Sequence, residues 1–129
     1  MSAAEERIEL ALKYLEEGRV LVERDPVQAS ERLYRAAEEA VKALALHYSL
    51  RGVLEKAERR GRWTFEELES AVRVIAGKVG EWFIAAWDAA SYLLVLGVHE
   101  AELDSESVKA RLPSIERMIV EARRVVCGG

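Results

Sequence analysis

Asp25-Pro26 separates two long stretches in which apolar residues return every three or four positions, and this one punctuation fixes how the fold must begin. Proline lacks an amide hydrogen and has a fixed φ, so it stops the helix before it and suits the first turn of the helix after it; Asp25 is a good N-cap for that second helix. The periodicity predicts a first helix from about Ala3 to Arg24, with Ile8, Leu12, Leu15 and Val22 facing inward, and a second whose stripe is Leu33, Ala36, Ala37, Ala40 and Leu44. A connection this short forces the two to pack antiparallel, as the opening hairpin of a helical bundle. The only other proline is Pro113, and alternating β-branched runs are absent, so the remainder also reads as helical.

Residues 50–63 carry two glycines and a dense mixture of charges, which reads as a loop with one helical turn at most. Thr64-Phe65-Glu66-Glu67 then matches a capping box and starts a shorter helix with Leu68, Val72, Ile75 and Val79 inside. Gly77 and Gly80 mark its end. An apolar helix follows to about Leu96, with Gly97 and His99-Glu100 at its exit. Asp104 can cap a short helix over Ser105 to Arg111, and Leu112-Pro113 opens a last one with Ile115, Met118, Ile119 and Ala122 inward. The expected fold is all-α, an up-and-down bundle of four long helices plus short extra ones, in a single domain over residues 1–129.

Half the chain is apolar and a third charged, the balance of a globular domain. The run from Trp82 to Val98, broken by Asp88 and Ser91, falls short of the roughly 20 apolar residues expected of a spanning helix. With an acidic, amphipathic N-terminus that is unlike a secretory signal, a cytoplasmic location away from membranes is expected. Cys127 is the only cysteine, which rules out an intrachain disulfide or a cysteine-based metal site. Asn is missing, while Gln and Thr occur once each; such charge-rich, amide-poor usage matches hyperthermophile proteins. The net charge of −4 argues against a broadly basic, nucleic-acid-coating surface.

The candidate chemistry is sparse. His99 is suited to general acid or base work with Glu100 to orient it, and equally to a helix C-terminus, where the dipole favours an imidazolium. Asp88 lies eleven residues earlier, roughly 16 Å along a helix, too far to share a proton with His99; a salt bridge to Arg73 or Arg123 is its simpler role. His47 reads as a capping or packed histidine, and without an H-x-x-x-H or E-x-x-H pair no metal or cofactor is expected. Arg51, Lys56, Arg59, Arg60 and Arg62 outweigh Glu55 and Glu58, with Trp63 directly after. Arg59, Arg60, Arg62 and Trp63 could hold phosphates and stack on a base; the plainer alternative is a solvated loop with Trp63 folded inward. The sequence patterns of phosphate-binding loops, dinucleotide folds, serine hydrolases and zinc fingers do not occur.

The run Ala29 to Leu44 resembles the second helix of the HEPN superfamily. Ala90 to Leu103, with Gly97-Val98-His99-Glu100, and the segment Arg111 to Glu116 are similar to the archaeal PaREP family of small paralogous proteins. The resemblance implies a HEPN-like bundle that commonly forms homodimers, in a superfamily of RNases and of partners of small nucleotidyltransferases. RNase members carry an arginine shortly before their histidine, whereas the corresponding positions here are Tyr92, Leu93 and Leu94. The expectation is therefore a non-enzymatic, dimerising module that binds a protein or nucleotide partner. The alternatives are a ribonuclease using His99 with an arginine from elsewhere, such as Arg73 or a second subunit's Arg51, and a nucleic-acid-binding module built on the basic residues 51–62.

Overall fold

A computed structural model describes residues 1–128 as a bundle of helices, with no strand among the described residues. In chain order these are α1 (Ala3–Leu21), α2 (Pro26–His47), α3 (Arg51–Arg60), α4 (Phe65–Val79), α5 (Trp82–Tyr92), a π-helix (Leu93–His99) that continues α5, and α6 (Ser105–Cys127). The all-α bundle expected from periodicity is what forms.

Local chemistry accounts for the boundaries. Ser2 and Glu5 form a capping box at the start of α1, and Thr64 and Glu67 form the predicted one at the start of α4. Asp25 accepts from the Gln28 amide, with Pro26 in the first turn of α2. Asp104 accepts from the Ser107 amide at 2.8 Å. These bonds satisfy amides that have no partner within their own helix, and they hold the Glu5, Glu67 and Asp104 carboxyls below their ordinary pKa range.

α2 is the axle of the bundle, touched by every other element. Its buried face is largely alanine: Ala29, Ala36, Ala37, Ala40, Ala43 and Ala45 are all fully buried. Small side chains let neighbouring helices come close. At Gly18 of α1 an added Cβ would sit 2.6 Å from Leu33 Cδ2, so the α1–α2 crossing depends on that glycine. The opposite wall is built from Phe83, Trp87 and Leu93 with Ile115, Met118 and Ile119 of α6.

Three expectations are corrected. Residues 51–60 form a helix rather than a loop, because Val53, Leu54 and Ala57 give it an inward stripe that the surrounding charges and Gly52 concealed. Gly61 closes it in a left-handed conformation (φ 73°), with the Arg62 amide bonded to the Ala57 carbonyl at 3.1 Å. Second, α6 runs unbroken through Pro113. Pro113 is exposed while Val108 and Ile115 are fully buried on either side of it, so packing carries the helix past the lost hydrogen bond. Third, the apolar helix does not end at Leu96 but widens into the π-helix, shown by the Glu100 amide bonding to the Val95 carbonyl at 2.9 Å.

By length and composition alone, Trp82–His99 is long and apolar enough to cross a membrane, a test that the packed core helix of a bundle also meets. In the fold it packs against α2, α4 and α6, and a third of its residues are buried.

Candidate functional site

The π-helix fixes where His99 stands. Gly97 is buried against α2, where an added Cβ would lie 2.5 Å from Ser30 Cβ; Ser30 is itself fully buried and donates its hydroxyl to the Pro26 carbonyl. The segment is thus pinned to α2 one turn after Leu93. His99 and Glu100 follow as exposed residues, and no side-chain hydrogen bond joins them among the described residues. Ala101 then reverses the chain with φ 53°, a left-handed conformation unusual for a residue with a Cβ. Nothing in this geometry orients the imidazole for acid or base work.

An arginine from another helix stands over Tyr92. The Arg111 guanidinium of α6 stands 3.8 Å from the centre of the Tyr92 ring, and its Nη1 donates to the Ser107 carbonyl at 2.9 Å. Among the described residues it has no carboxylate partner. Sequence reading missed this arginine because nineteen residues and a chain reversal separate it from Tyr92. Arg73 and Arg51, the arginines singled out from sequence, lie elsewhere, on α4 and at the start of α3.

Asp88 is exposed and, among the described residues, pairs with neither Arg73 nor Arg123. It belongs to an outward stripe of the α5 and π-helix run, with Ala85, Tyr92, Val95 and His99; Val95 is 49% exposed. The other tryptophans of this region are structural. Trp87 is fully buried and donates to Glu69 at 2.8 Å, while Trp82 donates to the Val79 carbonyl under the Arg117 guanidinium. His47 is exposed at the end of α2, with its ring edge-on to Tyr48, and so is not packed inward.

The basic cluster therefore sits on a helix. Arg51, Lys56 and Arg59 project from α3 and Arg62 follows its cap, all exposed and without ion pairs among the described residues. Arg60 differs, since it is paired with the buried Glu67 at the start of α4. Lys56, Arg60 and Arg73 line a cleft of about 360 Å³ between α3 and α4.

Trp63 is half-buried against the core and borders a groove of about 840 Å³ among α1, α2 and α3. This groove escaped the sequence reading because its charges come from distant segments. Arg7 of α1 binds Glu39 at 2.8 Å, and Lys42 of α2 binds Glu38 at 2.8 Å and Glu39 at 3.6 Å. The Lys42 ammonium lies 6.0 Å from the Trp63 ring centre. Nearby, Tyr34 is held protonated above the ordinary tyrosine range, first by burial and then by the Glu38 carboxylate. Among the described residues no three or more His, Cys, Asp or Glu side chains gather to hold a metal ion.

Known proteins resemble the chain in fold and sequence together. A crystal structure of a protein from Sulfolobus solfataricus is 29% identical, with 98% of each chain covered and a TM-score of 0.84. A solution structure of the Orf c02003 protein is 31% identical over 90% of each chain, with a TM-score of 0.78. No protein of curated function matches. The family model described as the archaeal PaREP1/PaREP8 family matches residues 6–119, nearly the whole bundle, and the chain belongs to that family.

Proposed function

We propose that this protein is a non-enzymatic, HEPN-like pairing module that forms a homodimer through the outward face of α5 and the π-helix. One observation carries the reading: the most apolar helix of the chain leaves two thirds of its residues incompletely buried. Ala85, Tyr92 and Val95 line that face, and a large apolar residue such as Val95, half exposed beside an aromatic ring, gains by leaving water. The charges suit a second copy. Asp88 lacks a cation and Arg111 lacks a carboxylate among the described residues, and a two-fold axis across the face offers each the other's group from the partner. The exposed, unoriented His99 supports a binding role over a catalytic one.

Sedimentation of the purified protein at micromolar concentration tests this. A dimer that Val95→Glu converts to a folded monomer is the expected result, whereas a monomeric wild-type chain refutes homodimerisation. Co-expression with a small nucleotidyltransferase-like protein examines the other occupant. Formation of a mixed complex in place of the homodimer would reassign the face to that partner.

A second reading is favoured by the unpaired cations of α3. Arg51, Lys56, Arg59 and Arg62 are free to meet phosphates, and RNA held by three or four of them would bind with log affinity falling against log salt at a slope of roughly −2 to −3. Neutralising Arg59 and Arg62 should flatten that slope, with no cleavage of the RNA.

A further inference from the structure

The groove among α1, α2 and α3 is built of groups that no pairing face requires. Trp63 gives it an aromatic wall, and Leu54 gives it an apolar one. The chain is led into this wall by a fixed backbone, because the left-handed Gly61 and the Arg62 amide bond to Ala57 turn residues 62–63 back over α2. Trp63 is therefore placed by main-chain geometry rather than by a mobile loop.

The cations around it are not equivalent. Lys42 is mostly buried and already committed to Glu38 and Glu39. Arg7 is 38% exposed and spends its Nη1 on Glu39, which leaves the further N–H groups of its planar fork without a partner among the described residues. Arg62 is exposed with no ion pair among the described residues. Two guanidinium groups with unspent donors thus border an indole ring in a space of about 840 Å³, within the range of small-molecule sites.

The geometry points to a binding site for a small aromatic anion, a flat ring stacked on Trp63 with its carboxylate or phosphate held by Arg62 and Arg7. Stacking on indole is insensitive to the identity of the ring, so ring binding alone gives little selectivity. The anionic group supplies it, since a charged acceptor is bound more strongly by a guanidinium than a neutral one. Glu58 on the rim and Glu38, paired with Lys42 in the same lining, disfavour ligands with several phosphates.

The test is calorimetric titration of the full chain with indole-3-acetate and with AMP, beside indole and adenosine as their uncharged counterparts. Saturable binding of one or both anions, at least roughly tenfold tighter than that of the matching neutral ring, is expected. Indole-3-acetate binding alone assigns a carboxylate ligand, and AMP binding alone assigns a phosphate. Arg62→Gln, an exposed change that leaves the fold intact, should weaken binding several-fold, and Trp63→Leu should abolish it. Oligomeric state should not change in either variant, which separates this site from the pairing face. Absence of saturable binding by both anions, equal binding of the neutral rings, or an Arg62→Gln variant that binds like the parent would overturn the assignment.

Discussion

Replacing Gly97 with alanine sets two ordinary effects against each other, and the structure decides the sign. Alanine favours a helical backbone over glycine by about 1 kcal/mol, so propensity alone predicts a more stable protein. The new methyl would lie 2.5 Å from Ser30 Cβ and closer still to Ser30 Oγ. Ser30 cannot yield, because its Cβ is fixed to the α2 backbone, it is fully buried, and its hydroxyl is bonded to Pro26. Either the π-helix or α2 must shift, and overpacking of this kind costs about 1–3 kcal/mol. Set against the propensity gain, the net loss is about 1 kcal/mol, which should lower the melting temperature by roughly 3–5 °C in a domain of this size. Circular dichroism melts of both single variants and of the double variant give the test. Ser30→Gly removes the obstructing atoms, so the double variant should be more stable than the sum of the single changes by about 1–2 kcal/mol. A Gly97→Ala protein as stable as the parent, or strict additivity with Ser30→Gly, would refute the contact.

Other outcomes follow from the caps, the turn after the π-helix, and His99. Glu67 and Asp104 have lowered pKa values in the fold, so each adds stability above its unfolded value near 4, and that contribution disappears as pH falls through the lower folded value. Acid titration of Glu67→Gln and Asp104→Asn should show a shallower loss of stability below about pH 4.5 than the parent. Ala101→Gly should raise stability by about 1 kcal/mol by relieving the left-handed backbone, and a neutral or negative change in chemical denaturation would count against that strain. Arg7→Ala leaves the buried Glu39 with only the longer contact to Lys42; since Arg7 is itself solvent-screened, the cost should be about 1 kcal/mol, most of it recovered in Arg7→Met with Glu39→Leu. Purified protein should leave a labelled RNA intact over hours; cleavage that His99→Ala removes would restore the ribonuclease reading.

Most of the fold was legible because its signals are local. Asp25-Pro26, the Thr64 capping box and the inward stripes each lie within a few residues of one another, and each formed as read. α3 was missed since only Val53, Leu54 and Ala57 mark it, too short a pattern to stand out among glycines and charges. The break read at Pro113 failed for the opposite reason: burial of Val108 and Ile115 overrides a local rule. The π-helix has no sequence signature, since its wider hydrogen bonding, Glu100 amide to Val95 carbonyl, is set in the folded packing against α2 and not by any local residue pattern. Of the candidate site, His99 and the basic cluster could be named from sequence. The Arg111–Tyr92 contact and the groove around Trp63 could not, since both join side chains from helices that only the tertiary fold brings together.

The alanine face of α2 also governs how this protein can change. Each fully buried alanine there meets a neighbouring helix at close range, so a larger side chain has nowhere to go, while glycine would loosen the axle itself. Tolerance must therefore grow with distance from α2. The outward edges of α3, α5 and α6 can exchange charges and apolar groups without moving the frame, and a chain of this kind can acquire new partners by redressing its rim while its centre stays nearly immutable.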